Sequence, residues 1–162
     1  MEVEVSFAVV AVGDELSAEE LVALYDAVGW TAYTRDPDGL VRAVANSTIV
    51  VTARDPSGAL VGLARGLSDD VSILYLQDVL VHPDHQRMGI GRRLVTTCLE
   101  RYAHVRQKVL LTDDDPAQRR FYDHLGFVRT TEFDAAPLNA YVRFDARPVP
   151  GSDADVLEDP HR

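Results

Sequence analysis

The chain has little cysteine, no long apolar run and fewer basic than acidic side chains. Its single cysteine, Cys98, excludes an intramolecular disulfide and a cysteine-cluster zinc site, and it favours a reducing, cytoplasmic location. No stretch approaches the roughly 18 consecutive apolar residues that a transmembrane helix needs. Residues 1–5 are acidic where a secretory signal would be basic, so no signal peptide is predicted.

The charge balance excludes two classes of partner. There are 26 Asp and Glu against 16 Lys and Arg, a formal net charge of −10. A general nucleic-acid-binding chain carries the opposite balance, and an anionic membrane surface would repel this one. We therefore expect no nucleic-acid and no membrane partner. The negative charge either serves solubility alone or, where it is focused at a cleft, attracts a cation such as an amine.

The length of 162 residues predicts one domain, which can bury a full core without disulfides or metal. Apolar periodicity covers residues 1–145, and the Pro- and Asp-rich residues 146–162 predict a loose tail. The order of elements predicts an α/β fold with a mixed sheet and helices packed on it. Strands are predicted at 2–12, 47–53, 59–67, 71–81, 107–112, 127–133 and 140–145. Helices are predicted from Ser17 to Gly29, over 40–45, over 90–102, and from Asp115 to Gly126.

The turn at residues 86–91, Gln-Arg-Met-Gly-Ile-Gly, lies between an apolar strand and an amphipathic helix. Glycines there let the backbone approach a ligand closely, and the helix N-terminus offers unpaired N–H groups. Arg87 and Arg92 add positive charge within an acidic chain. The combination suits a pyrophosphate, and its alternative is a turn that serves packing alone. The spacing matches neither a P-loop nor a dinucleotide fingerprint, since no Lys follows and Leu94 occupies the third glycine's place.

A second segment, residues 115–127, contains Phe-Tyr at 121–122 and Gly-Phe at 126–127. Together with Val-His-Pro at 81–83 and the turn at 86–91, it resembles the GNAT superfamily of acetyl-CoA-dependent N-acetyltransferases. The resemblance covers residues 1–145 and implies a GNAT-type fold. That fold is a mostly antiparallel sheet, splayed at its central strand, with helices on both faces. It also implies acetyl-CoA as co-substrate and no metal.

The resemblance implies roles for individual residues. Tyr122 matches the tyrosine that acts as general acid toward the departing thiolate, and its alternative role is core packing. An N–H near Leu80 is the expected oxyanion donor. Asp115 departs from the Asn that relatives often carry, so it is either a cofactor contact or only a helix cap. The expected acetyl-CoA contacts are Val79, Leu80, Val81, Gln86, Arg87, Met88, Gly89, Ile90, Gly91, Arg92, Asp115 and Tyr122.

The acyl-acceptor side is less defined. Many relatives carry Glu at the position of Tyr75 or of Gln77, and neither residue is a carboxylate here. Gln77 can orient a water, whereas Asp78 is either a catalytic base or a structural carboxylate that strand alternation turns away from the cleft. The resemblance places the substrate side at residues 25–42. Its candidate contacts, beside the base, are the aromatic residues Trp30, Tyr33 and Tyr75, which otherwise fill the core.

The leading interpretation is an N-acetyltransferase in which a small-molecule or peptide amine attacks acetyl-CoA directly in a ternary complex. The alternatives are a non-catalytic acyl-CoA-binding or regulatory module on the same fold, and an unrelated α/β domain. Cys98 lies on the apolar face of its helix and is expected to be core and not a nucleophile. A homodimer is an open alternative, because the final strand, 140–145, offers an edge to a partner.

Overall fold

A computed structural model describes residues 8–145 as a five-stranded sheet with helices on both faces. The strands are β1 (Val9–Val12), β2 (Ile49–Arg54), β3 (Leu60–Ser68), β4 (Ile73–Val81) and β5 (Gln107–Leu110). The α-helices are α1 (Ala18–Ala27), α2 (Thr31–Thr34), α3 (Pro37–Ala45), α4 (Ile90–Arg101) and α5 (Pro116–His124). Single 3-10 turns occur at Pro83–His85 and Thr130–Glu132. The start of the first predicted strand and the predicted tail lie outside the described residues.

The strands are ordered β1-β2-β3-β4-β5. The first four are antiparallel neighbours, and β5 runs parallel to β4. A parallel pair needs a long crossover connection, and α4 supplies it between β4 and β5. This mixed, mostly antiparallel sheet confirms the fold class that the sequence predicts.

Two apolar clusters pack against the sheet, one on each face. On one face α4 contributes Leu94, Val95 and Cys98, whose spacing of one, three and four residues forms a single helical stripe. On the other face α1 and α3 contribute Leu21, Leu24 and Leu40. Cys98 is fully buried in this cluster, as expected of a core residue, and its burial raises the pKa of the thiol to about 12.

A β-bulge at Gln77 interrupts β4. Pairing with β3 joins Asp78 to Arg65 and Leu76 to Gly66, which leaves Gln77 without a residue opposite. An extra residue in one strand reverses the alternation of side chains beyond it. Leu74 and Leu76 accordingly pack in the α4 cluster, whereas Leu80 packs in the cluster of α1 and α3. The bulge therefore decides which face of the sheet Asp78 occupies.

The strands predicted at 127–133 and 140–145 are wrong. Residues 127–145 form no strand, and the 3-10 turn at Thr130–Glu132 stands within the first of the two predicted ranges. A strand needs a neighbouring edge and a face to bury, and apolar alternation alone supplies neither. Tyr141 and Phe144 accordingly remain 91% and 57% exposed. The strand predicted at 107–112 also ends earlier, at Leu110.

Candidate active site

The strands β4 and β5 separate half-way along β4. Their pairing runs from Ile73 and Gln107 to Leu76 and Leu110, and it stops there. Beyond Leu76, no strand formed by residues 8–145 lies beside β4 on the β5 side. A cleft opens at this point, and its walls include Trp30, Gln77, Val79, Thr112, Gln118 and Tyr122. The splay expected at the central strand is therefore present.

The backbone groups of β4 that face this cleft belong to Val79 and Val81. The N–H of His82 donates to a β3 carbonyl at 2.8 Å, and backbone groups alternate sides along a strand. Leu80 lies two residues before His82 in the strand, so its N–H also points toward β3. The carbonyl of Val81 points the other way, where the Gln86 side chain donates to it at 3.1 Å. The backbone donors that face the cleft are thus the N–H groups of Val81 and of Val79, the latter next to Leu80.

The signature residues 86–91 form the turn that leads into α4. Gly89 is the N-cap with φ of 78°, in the left-handed region that glycine adopts without steric cost. Among residues 8–145, no side chain caps this helix, so its first N–H groups are unpaired. A Cβ added at Gly91 would lie 3.5 Å from the Phe121 ring and 3.6 Å from Val81. The turn therefore adjoins the end of β4 and the helix that carries Tyr122.

Two arginine side chains lie in the turn and in the first turn of α4, at this helix N-terminus. Arg87 and Arg92 are exposed, and neither forms an ion pair with a carboxylate among residues 8–145. Arg93 differs, because its guanidinium donates to the Ala8 carbonyl at 2.6 Å. Unpaired amides, a positive helix end and two uncommitted guanidinium groups are the features that a diphosphate group needs.

Tyr122 forms a wall of the cleft from α5. This helix begins at Asp115, whose carboxylate accepts a hydrogen bond from the Ala117 N–H at 2.8 Å. Edge contacts hold the Tyr122 ring against Phe121 and Phe127, with centroids 4.9 and 5.7 Å apart. Burial raises the pKa of Tyr122 to about 12, so its hydroxyl stays protonated as a hydrogen-bond donor. Asp115 acts as a helix cap, and its contact with a cofactor stays a prediction.

Asp78 lies on the sheet face covered by α1 and α2 and is only 1% exposed. It forms an ion pair with Arg65 and accepts hydrogen bonds from the hydroxyls of Tyr25, at 2.8 Å, and Tyr33, at 2.7 Å. It does not line the cleft. A carboxylate enclosed by three donors fits the alternative of a structural group. The role of Asp78 as a base stays a prediction.

The bulge residue Gln77 lines the cleft and donates from its amide nitrogen to the Tyr33 hydroxyl at 3.2 Å. Trp30 lines the same cleft, and its ring lies 6.1 Å from that of Tyr33. Tyr75 precedes the bulge and does not line the cleft, and burial together with Asp78 raises its pKa. Of the three predicted aromatic contacts, two therefore lie at or beside the cleft and Tyr75 lies apart.

Sequence reasoning missed Arg65 and Tyr25, which complete the environment of Asp78. Arg65 is 6% exposed and lies within the apolar strand β3. A signal was present, because a charge inside an apolar strand needs a partner, and Asp78 is the acidic residue of the next strand. Tyr25 and Asp78 are 53 positions apart, so only the packing of α1 on the sheet joins them.

Outside this cleft, the described residues provide fewer candidate functional groups. Residues 8–145 contain no group of three His, Cys, Asp or Glu side chains that could hold a metal ion. A larger pocket of about 370 Å³ lies between α3 and β2, near Val44 and Ile49, and it contains none of the predicted site residues. In the same part of the chain, no helix has the length and hydropathy needed to cross a bilayer.

A family model for the acetyltransferase (GNAT) domain matches residues 45–129, which span β2 to α5 and so include most of the cleft. This chain belongs to the GNAT acetyltransferase family. It is 30% identical over 113 residues to an uncharacterized N-acetyltransferase, ycf52, of Pyropia yezoensis, a match covering 68% of this chain and 64% of that relative. The chain thus spans less than two thirds of the length of the curated relatives that it matches first.

Solved GNAT structures share this fold. A GNAT family acetyltransferase from Streptococcus pneumoniae has a TM-score of 0.72 at 27% identity, over 85% of this chain and 98% of that one. A GNAT family N-acetyltransferase from Escherichia coli, solved in complex with CoA, has a TM-score of 0.62 at 21% identity. That match covers 80% of this chain and 73% of the other, and it shows the common fold alone. The family and fold that the motifs predict are confirmed.

Proposed function

We propose that this GNAT family member transfers the acetyl group of acetyl-CoA to an amine by direct attack within a ternary complex. The cleft between β4 and β5 is the observation that carries the proposal. It brings the N–H of Val79, the ring of Tyr122 and the amide of Gln77 together beside an uncapped helix N-terminus. Acetyl-CoA supplies the activated thioester, and the chain supplies the groups that bind and orient it.

The binding of the co-substrate follows from the groups that remain unpaired. The first-turn amides of α4, with Arg87 and Arg92, are expected to bind the diphosphate. The N–H of Val81 is expected to bind the pantetheine arm along β4, and the N–H of Val79 is left for the thioester carbonyl. The Val81 carbonyl is less accessible for this purpose, since Gln86 already donates to it. A GNAT relative from Escherichia coli was solved in complex with CoA, which supports CoA as a ligand of this fold.

The chemical step needs two hydrogen-bond donors from the protein and a proton acceptor from solvent. The amine nitrogen attacks the thioester carbonyl carbon, so a C–N bond forms and the C–S bond breaks. The N–H of Val79 donates to the carbonyl oxygen as it gains negative charge. The hydroxyl of Tyr122 donates to the sulfur as it takes up the electron pair. The proton of the amine passes to solvent water, since Asp78 is enclosed elsewhere.

The proposed acceptor is a small-molecule or peptide amine. Trp30 offers an aromatic face in the cleft, and an aromatic face attracts a cation. The net charge of −10 favours a cationic substrate over an anionic one. The pKa of a primary amine, about 10.4, lies about three units above pH 7, so almost all of the amine is protonated and cannot attack. Because the neutral fraction increases with pH, we expect the rate to rise between pH 7 and pH 9.

A panel of amines incubated with acetyl-CoA tests this function. Release of the CoA thiol, together with a mass increase of the amine by one acetyl group, is the expected result. Cys98 is buried and contributes little to a thiol-reactive assay. Tight CoA binding by calorimetry without thiol release from any amine would instead indicate a non-catalytic acyl-CoA-binding module. Failure to bind CoA would overturn both functions.

A further inference from the structure

A chain of hydrogen bonds runs from the buried interior to the cleft. Asp78 is paired with Arg65 and accepts from Tyr33 at 2.7 Å. Tyr33 in turn accepts from the Gln77 amide nitrogen at 3.2 Å. The chain thus connects a buried carboxylate to a side chain on the cleft wall through one tyrosine. Arg65 also lies over the Tyr33 ring, with its guanidinium carbon 5.9 Å from the centroid.

In this series of hydrogen bonds, the buried Asp78 carboxylate determines which group donates in each bond. The ion-paired Asp78 carboxylate can only accept, so Tyr33 must give its single hydrogen to it. Burial and the charge of Asp78 raise the pKa of Tyr33 to about 12, which keeps that hydrogen in place. The Tyr33 oxygen is then left only with acceptor capacity. Gln77 must therefore turn its NH₂ group, and not its carbonyl, toward Tyr33.

The carbonyl oxygen of Gln77 is left for the cleft. The NH₂ group and the carbonyl oxygen of an amide side chain lie in one plane, on opposite sides of the Cγ–Cδ bond, so fixing the NH₂ group also fixes the oxygen. No group among residues 8–145 donates to that oxygen, and the only hydrogen bond of the Gln77 amide goes to Tyr33. The bulge places this side chain at the point where β4 leaves β5.

We infer that Asp78, acting through Tyr33, orients Gln77 so that its carbonyl oxygen accepts a hydrogen bond from the N–H of the attacking amine. Asp78 and Tyr33 are positioning residues, and Gln77 is the residue that touches the acceptor substrate. This inference rests on the proposed acetyl transfer for its substrate. It assigns Gln77 a direct contact with the nucleophile.

Two tyrosines that donate to Asp78 provide a matched pair of variants. Tyr33→Phe and Tyr25→Phe each remove one hydroxyl that donates to Asp78, at 2.7 and 2.8 Å. Only Tyr33→Phe also releases Gln77, since Tyr25 has no bond to it. We expect Tyr33→Phe to lower kcat/KM for the amine by about tenfold or more, the usual size of a hydrogen bond in a site of this kind. The KM for acetyl-CoA should stay within about twofold. Tyr25→Phe should lower kcat/KM by less than about threefold.

A double-mutant cycle separates positioning from a general loss of structure. In a Gln77→Met background, where no amide remains to be oriented, Tyr33→Phe should have little further effect. Equal effects of Tyr33→Phe and Tyr25→Phe would overturn the inference, since both would then act through Asp78 alone. Additive effects of Tyr33→Phe and Gln77→Met would overturn it as well. Thermal melts of all variants show whether each remains folded.

A spectroscopic measurement tests the orientation without any turnover. The side-chain NH₂ signals of Gln77 in a ¹H–¹⁵N correlation spectrum can be assigned by their loss in Gln77→Met. These signals should move in Tyr33→Phe and stay nearly unchanged in Tyr25→Phe. If wild-type protein acetylates no amine while these signals behave as expected, the proposed function fails and the hydrogen-bond chain stands. If the chemical shifts of the Gln77 NH₂ group do not change in Tyr33→Phe, the inference fails whatever the activity.

Discussion

The hydroxyl of Tyr122 gives the sharpest test of the chemical step. Burial raises its pKa to about 12, whereas a free thiol has a pKa near 8.5. Complete proton transfer to a free thiolate would then be uphill by roughly 3 to 4 pKa units, on the order of 5 kcal/mol. Tyr122 is therefore expected to stabilise the leaving sulfur mainly by a hydrogen bond, with the thiolate protonated after it departs.

Tyr122→Phe keeps the ring and its contacts with Phe121 and Phe127 and removes only this bond. A hydrogen bond to a charged group contributes about 1.5–3 kcal/mol, which corresponds to a decrease in kcat of about 10- to 100-fold. The KM for acetyl-CoA should change little, because the bond strengthens only as the sulfur gains charge. Single-turnover measurement of thiol release is the assay, since it reports chemistry even when product release limits kcat.

The pH profile provides an independent check. A raised pKa means that Tyr122 keeps its proton up to about pH 12, so its deprotonation should cause no loss of kcat between pH 8 and 10. Tyr102→Phe is the control, because Tyr102 is a buried tyrosine at the end of α4, away from the cleft. Near-wild-type kcat in Tyr122→Phe with chemistry rate-limiting would refute the role. A decrease in kcat above about pH 9 that is absent from Tyr122→Phe would refute the raised pKa of Tyr122.

Three further predictions concern the signature turn and the pH dependence of stability. Gly89→Ala should weaken CoA binding in calorimetry, because φ of 78° costs a non-glycine residue about 1–2 kcal/mol; unchanged affinity would place the diphosphate elsewhere. Arg87→Ala or Arg92→Ala should each weaken binding by about 1 kcal/mol at low salt and by less at high salt, and a salt-independent affinity would contradict this. Arg54 and the helix cap lower the pKa of Glu20 from 4.5 to about 2, so its stabilising contribution is present above pH 4.5 and is lost as pH falls toward 2. Glu20→Gln should flatten that part of a plot of melting temperature against pH, and an unchanged slope would show that the pair contributes nothing.

Features set by neighbouring residues could be read from the sequence. Ser17 and Glu20 form the predicted capping box, with bonds of 3.0 and 3.2 Å, and Asp115 caps α5 as predicted. The turn at 86–91 leads directly into α4, as its glycines indicate. Caps and turns involve groups a few positions apart, so the identity of those residues largely determines them. The same locality makes the signature motifs sufficient to predict the family.

Other features were decided only when distant segments packed together. The strand-like sequences at 127–133 and 140–145 form no strand, because a strand also requires a partner edge that the local pattern cannot provide. The single extra residue at Gln77 reverses the side-chain alternation of β4, so it turns Asp78 toward Tyr25 and Tyr33 and away from the cleft. Burial by surrounding side chains, and not the residue type, determines the pKa of Tyr122. The sequence alone determined which groups the site contains, whereas tertiary packing decided their direction and protonation, since both depend on contacts between segments far apart in the chain.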